Sequence, residues 1–383
     1  MPGLSPGRRA AAQALLAAES GKHAEIVGVA GRDLGLARHL VAGVLRTRGQ
    51  LDAAISKLTK GRLDLEVQTA LRIGLFELHR SRVPPHAAVD QAVQLVRVLR
   101  KARAAGLVNA VLRKAPPLPA VPNHPDWLVK RWTARYGDVS DWLARLDTEA
   151  PLALAHKPGV AMGGLRDTGV PDTGWLDHSG PIEEIEGYAE GGWWVMDPAA
   201  AMVADLVEAR TGLRVLDACA APGGKAMRLA SQGATVLATD RSAARLERLR
   251  ENLDRTRLEA EVRVVDWTRG AELGEFDAVL VDAPCTSLGT TRRHPEIRWS
   301  RLPTDPLAMA VLQDRILDGV CGHVRVGGRL VYAVCSPEPE EGSERIAAFV
   351  ARQPGYVLET ERCTAPPVGD EDAFYAAVLT KKS

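Results

Sequence analysis

Several common signatures are missing from this sequence, and each absence closes off a class of function. In 383 residues no apolar run approaches the roughly 18 residues that span a bilayer. The five cysteines, at 219, 285, 321, 335 and 363, form no C-x-x-C pair and have no histidine at ligand spacing. That argues against a structural zinc site or a disulfide framework, and fits reduced thiols in a cytoplasm. Cys321 and Cys363 are expected as small buried apolar residues. There is no G-x-x-x-x-G-K-[ST] loop, which disfavours a phosphate-cradling nucleotide site. The N-terminal "MPGLSPGRRAAAQALLAAES" is interrupted by charge, so an amphipathic first helix is expected rather than a signal peptide.

The charge that is present is unevenly placed. The net charge is +1, yet residues 1–115 hold 19 Lys+Arg against 8 Asp+Glu, a net of +11, which leaves −10 for the rest. A basic module on an acidic body suits a polyanion such as nucleic acid, although a solvated helical surface has the same charge. Residues 1–115 read as an all-α bundle. "RDLGLARHLVAGVLRTRGQLDAAISKL" and "LDLEVQTALRIGLFELHR" repeat apolar residues at spacings of three and four, with Asp33 as a candidate N-cap. "APPLPAVPNHP" is a Pro-rich boundary. An accessory region over 125–195 carries six of the eight tryptophans (Trp127, Trp132, Trp142, Trp175, Trp193, Trp194), read as core more than as base-stacking residues.

From 196 to 383 apolar, β-branched runs alternate with helical segments: "LRVLDACA", "ATVLATD", "EVRVVD", "FDAVLVDAP" and "GRLVYAVCS". This pattern predicts a doubly wound, largely parallel α/β sheet, with "YVLETERC" and "FYAAVLTKKS" as a closing antiparallel pair. Ligands of such folds sit beyond the carboxyl ends of the strands. Asp217, Asp240, Asp266 and Asp282 fall at four successive strand ends. Any one of them alone reads as a cap or a loop residue. Together they suit a ligand with a ribose and an amino-bearing ring.

"DACAAPGGK", "ATDRS", "DAPCTSLGTTRRHPEIRW" and "YAVCSPEPEE" closely resemble the motifs of RNA cytosine-C5 methyltransferases, and the likeness runs from about 197 to 382. "RVPPHAAVDQAV" and "AAGLVNAVLRK" resemble the NusB-type RNA-binding domain. The resemblance implies a NusB-like helical bundle ahead of a Rossmann-like domain that uses S-adenosylmethionine. The fusion implies 16S rRNA as the substrate. No membrane or obligate protein partner is expected, and a monomer is.

Carried onto this chain, Cys219, Ala220, Ala221, Pro222, Gly223, Gly224 and Lys225 would hold the methionine and ribose side of the cofactor. Asp240 would take the ribose hydroxyls, Asp266 the adenine region, and Asp282 would lie between cofactor and base. Cys335 would be the nucleophile and Cys285 the second thiol. Arg292, Arg293, His294 and Arg298, with Trp299, would meet RNA at the mouth of the site. The chain departs from the family pattern at Val334, which stands where a threonine is usual, and at "MDPAAAMVADL", "PEPEEGSE" and "DEDAFYAAVL". Four other readings remain open: Cys285 as the attacking thiol, another RNA such as tRNA as substrate, an RNA-binding assembly or transcription factor whose cofactor fold is vestigial, and a methyltransferase for protein or small molecules, which the basic N-terminal domain disfavours.

Overall fold

Helices begin where the sequence supplies a proline or an extended residue to start them. The computed structural model describes residues 3–21, 24–114, 116–178 and 180–383. Met1 and Ala115, the ends of the expected first domain, and Pro2 of its first helix lie outside the described residues. The described chain divides into two units, one of residues 1–149 with 291–303, the other of 150–290 with 304–383. The stretch 125–195, expected as one accessory region, is therefore split at 149/150.

The first unit is helical: Pro6–Glu19, Gly31–Arg46, Arg48–Leu58, Leu65–Arg80, Pro85–Val98, Ala105–Lys114, Asp126–Tyr136 and Ser140–Leu146. Prolines open the first and fifth of these, where a missing N–H costs nothing. Leu40, Leu51, Leu71, Ile73, Leu75 and Leu95 fill the core. The run read as one helix over 32–58 breaks at Thr47, whose hydroxyl donates to the Gly43 carbonyl at 2.7 Å. Asp33 is not the N-cap. The helix starts at Gly31, and the Asp33 carboxylate accepts the Gly7 amide at 2.8 Å and the Ser5 hydroxyl at 3.2 Å, tying the first helix to the second. Of the six tryptophans, all but Trp127 are buried, and Trp132 stacks on Trp142 at 4.1 Å.

The second unit holds two sheets. The smaller is antiparallel, made of β1 (Leu152–His156), β2 (Arg166–Asp167), β3 (Thr173–Leu176) and β4 (Trp193–Val195) in the order β2-β3-β1-β4. The larger has seven strands: β5 (Arg214–Asp217), β6 (Thr235–Asp240), β7 (Glu261–Val264), β8 (Phe276–Asp282), β9 (Val324–Val334), β10 (Tyr356–Cys363) and β11 (Tyr375–Lys381). Their order is β10-β11-β9-β8-β5-β6-β7, parallel from β9 to β7 and closed by the antiparallel pair that the tail predicted.

From β5 the chain winds outward to β6 and β7, then returns to the other side of β5 as β8. The strand order therefore reverses at β5/β8, the place where such sheets open a crevice at their carboxyl ends. Cys363 is exposed and Cys321 half-buried, which corrects the expectation that both are core. Cys363 ends β10, an edge strand with one exposed residue after another, and nothing covers it. Among the described residues no helix is long and apolar enough to cross a membrane.

Candidate active site

The register of two neighbouring strands creates the site. β8 and β9 run parallel with Asp282 opposite Ala333, and the Ala283 amide donates to the Ala333 carbonyl at 2.9 Å. The chain therefore leaves both strands at the same end. Cys285 follows β8 and Cys335 follows β9, and their sulfurs lie 3.3 Å apart. Asp217, Asp240 and Asp282 end β5, β6 and β8 on the same side, and Asp266 lies just past β7. A cavity of ≈ 200 Å³ is lined by Cys219, Ala221, Asp240, Asp266, Asp282, Cys285, Ser287 and Cys335, among others. Of the residues expected at the cofactor, Ala220, Pro222, Gly223, Gly224 and Lys225 are not in that lining. Gly223 has φ +114°, a left-handed conformation that suits glycine, and it turns the chain into the helix Gly224–Ser231.

Lys225 sits at the base of the site. Its Nζ donates to Asp282 Oδ2 at 2.7 Å and lies 5.3 Å from the Phe374 ring centroid. Burial works against the ammonium, but Asp282 outweighs it and the charges of Cys335 and Asp217 add to the effect, so the Lys225 pKa is raised. Asp217 is fully buried, and neither carboxylate oxygen meets a hydrogen-bond partner in good geometry. Burial, reinforced by the nearby Asp282 charge and opposed by Lys225, pushes its carboxyl up to about 7. Asp240 accepts the Ser242 amide at 2.9 Å and meets the Arg245 guanidinium at 3.2 Å. Asp266 accepts both the amide and the hydroxyl of Thr268, which hold it below the usual carboxylate range.

The two thiols are not equivalent. Cys285 is buried, whereas Cys335 is partly open. A hydrogen bond to Cys335, then burial, then the charges of Cys335 and Glu341 push the Cys285 pKa well up. Cys285 therefore keeps its proton. Burial and the surrounding acids raise Cys219 as well.

Sequence reasoning missed several residues here. Ser287, at φ +60° in the left-handed region that few side chains adopt, holds its hydroxyl 3.5 Å from the Cys335 sulfur and 3.8 Å from that of Cys285. Gly289 leaves room that a Cβ would fill, against the backbone carbonyls of Ala373 and Cys335. A buried carboxylate, Glu341, lies just behind the thiols. A polar residue follows each cysteine, but "PEPEE" does not tell which of its acids turns inward.

The expected RNA-contacting residues do not gather at this site. Residues 291–303 belong to the first unit. There Arg298 is fully buried: Nη1 pairs with Asp147 Oδ1 at 2.7 Å and donates to His124 Nε2 at 2.8 Å, while Nη2 donates to the Leu146 and Thr291 carbonyls at 2.7 and 3.1 Å. Burial brings Arg298 down to about 10. Burial and then the Arg298 charge bring His124 down to about 2. Arg292 is also buried, donating to Thr148 Oγ1 at 3.1 Å and the Glu149 carbonyl at 3.0 Å. Phosphate contact by Arg292 and Arg298 is thus corrected to an internal role, since both side chains are buried and Arg292 Nη2 and Arg298 Nη1 and Nη2 serve protein acceptors. Trp299 donates to the Leu45 carbonyl at 2.8 Å, with Arg48 over its ring. His294 is exposed 3.5 Å from Glu296, and Arg293 is half-buried.

Comparison with known proteins agrees with this geometry. The 16S rRNA methyltransferase RsmB/F family model matches residues 204–379, and the NusB family model matches residues 5–116. Ribosomal RNA small subunit methyltransferase B of Pseudomonas putida is 36% identical, with 98% of each chain covered. The Klebsiella pneumoniae protein of the same name is 34% identical over 92% of this chain and 91% of its own. Among solved structures, that of PH0851 superposes with a TM-score of 0.82 at 22% identity over 100% of both chains. A methyltransferase homologue from Pyrococcus horikoshii superposes with a TM-score of 0.58 at 21% identity, covering 67% of this chain and 95% of its own. At those identities the two structures speak for the fold. The sequence relatives and the two matched domains carry the assignment: this chain belongs to the ribosomal RNA small subunit methyltransferase B family, with a NusB-type domain ahead of a methyltransferase domain.

Proposed function

We propose that this protein makes 5-methylcytosine in 16S rRNA from S-adenosylmethionine, with Cys335 adding to C6 of the cytosine. The observation that carries the reading is the pair of sulfurs 3.3 Å apart at the cavity that also holds Asp240, Asp266 and Asp282. The donor set suits the cofactor. Asp240 presents a carboxylate at the cavity to vicinal hydroxyls, and Asp266 and Asp282 line the same cavity beside it. The Gly223 turn and Lys225 support the methionine side. S-adenosylmethionine, when bound, supplies the methyl group.

Cytosine C5 is a weak nucleophile until a thiolate adds to C6. Cys335 is placed for that step because Lys225 lies within electrostatic reach of its sulfur and Cys285 donates to it. As the S–C6 bond forms, the C5=C6 electron pair moves into the ring toward N3. Asp282 holds Lys225, whose ammonium would offset the negative charge that develops there. C5 then takes the methyl group and still carries its proton.

The environment of Cys285 changes at that stage. Once Cys335 is bonded to carbon it no longer accepts a hydrogen bond as a thiolate or carries charge. Two of the three largest influences holding the Cys285 proton are then gone. Cys285 becomes easier to ionise when a base is needed. It releases its own proton to solvent and, as a thiolate, takes the C5 proton; C5=C6 reforms and Cys335 leaves as a thiolate. The base must be unstacked to receive attack on its face. Arg293 and His294 remain the candidates for RNA contact from the basic loop.

Bisulfite sequencing of small-subunit rRNA from cells with and without the gene tests the reading. One cytosine is expected to lose protection when the gene is absent. An unchanged protection pattern rejects the rRNA cytosine-C5 assignment.

A further inference from the structure

Behind the two thiols lies a buried cluster whose members, Glu341, Thr286, Ser336 and Gln313, are not themselves part of the cavity lining. Glu341 is fully buried, just before the helix Ser343–Arg352. Oε1 accepts the Thr286 amide at 2.7 Å and Gln313 Nε2 at 3.2 Å, and Oε2 accepts the hydroxyls of Thr286 and Ser336, each at 2.5 Å. Thr286 is the neighbour of Cys285, and Ser336 is the neighbour of Cys335. Gln313, on the helix Asp305–Val320, also donates to the Pro284 carbonyl at 3.1 Å, and the two hydroxyls lie 3.1 Å from each other. The Tyr332 hydroxyl donates to the Glu341 carbonyl at 2.6 Å and holds the backbone of the acid against β9.

The loops after β8 and β9 also meet through Ser287, whose hydroxyl lies 3.5 Å from the Cys335 sulfur. Past the strand ladder, the Gly289 amide donates to the Cys335 carbonyl at 3.1 Å. Four donors fill the four lone-pair sites of the carboxylate, and three of the four come from the two cysteine loops. All the loop donors come from the residue next to a thiol. Burial raises the Glu341 pKa against the pull of these bonds, so the acid is kept in the interior at an electrostatic cost.

We propose that Glu341 is a positioning residue that clamps the Cys285 and Cys335 loops together, so that the two sulfurs stay at reacting distance from one another and from the same base. This rests on the reading of both thiols as parts of one methyl-transfer site. A displacement of about 1 Å in such a pair costs on the order of a hundredfold in rate.

The clamp is read directly by the rate at which diamide, a diazene oxidant, converts the two thiols of the full-length protein into a disulfide, with both protons and both electrons passing to the diazene. The product is quantified by mass spectrometry of the linked peptides, without cofactor or RNA. Glu341→Ala is expected to slow that crosslink at least tenfold. Removing the Glu341 charge alone would ease ionisation of Cys285 and speed the reaction, so a fall reports geometry. Glu341→Gln keeps the shape, and the hydroxyls of Thr286 and Ser336 can turn to accept from its amide. It is expected to restore the crosslink to within threefold of wild type.

Thr286→Val and Ser336→Ala each remove one strut while leaving the acid in place, and each is expected to slow the crosslink several-fold. These two decide the matter if the alanine variant at 341 does not fold. Wild-type crosslinking in Glu341→Ala, or in both strut variants, overturns the proposal. Failure of the wild-type protein to methylate cytosine overturns the proposed function instead, because the crosslink does not depend on it.

Discussion

Residues 283–290 and 291–303 follow one another in the chain, and both belong to one motif-bearing stretch, yet they end in different units. The first, after β8, carries Cys285 and Ser287 to the cavity and hangs on Glu341. The second carries Arg292, Arg298 and Trp299 into the helical unit, where each finds internal acceptors. Adjacency to a reactive cysteine suggested that the arginines face a substrate. Their surroundings show that a guanidinium can equally serve as the hub of a packed corner, with its donors spread over Asp147, His124 and two carbonyls. Charge in a motif indicates which chemistry is available, and burial decides to whom it is available.

The comparison breaks most sharply at the cysteines. Cys335→Ala should abolish methyl transfer, a fall of at least about 10⁴-fold. Cys285→Ala should still attack but stall, leaving a protein–RNA adduct on a denaturing gel. The stalled adduct in the Cys335 variant instead would reverse the two roles. For the neighbouring segment the effect should be on stability alone. Arg298→Ala leaves a cavity and unpaired carbonyls at Asn123, Leu146 and Thr291 and should cost about 3–5 kcal/mol in urea unfolding. Affinity for S-adenosylmethionine, measured by calorimetry on the folded variant, should stay unchanged, and a large loss of affinity would place Arg298 back in the site.

A smaller effect, expected at about 1–3 kcal/mol, separates Asp217 from the other acids of the site. Its carboxyl is raised to about 7, so between the ordinary range near 3.8 and about 7 the folded protein binds a proton that the unfolded chain does not. The Asp217 contribution to stability is therefore fully present below that window and is lost as pH rises through 7. Asp217→Asn should flatten this part of the pH dependence, measured by thermal unfolding of the cofactor-free protein at pH 4.5 and 8. An unchanged slope would mean that the buried carboxylate is not held protonated.

The parts that could be read in advance share a local cause. β-branched runs ending on acids placed β5 to β8, the tail showed the antiparallel pair β10 and β11, and the charge-interrupted N-terminal run formed a helix. Each depends on a few consecutive residues. The misreadings depend on distant ones. Asp33 looked like a cap until Gly7 and Ser5 claimed its carboxylate, and Cys363 looked buried until β10 proved to be an uncovered edge. Ser287 and Glu341 left no mark in the sequence because a serine in a loop and one acid among several become distinctive only once folded.

The sequence by itself determined the helical and α/β halves, the row of acids at strand ends and the identity of the two thiols, because periodicity, turn residues and short motifs are written in neighbouring positions. Tertiary structure alone decided that Asp282 and Ala333 pair, which brings Cys285 and Cys335 to 3.3 Å. It also decided which thiol is buried, which acid hydrogen-bonds to both loops, and that Arg298 faces inward. Each of these depends on desolvation and on partners some 50 to 150 residues away, and such effects exist only after the chain has packed.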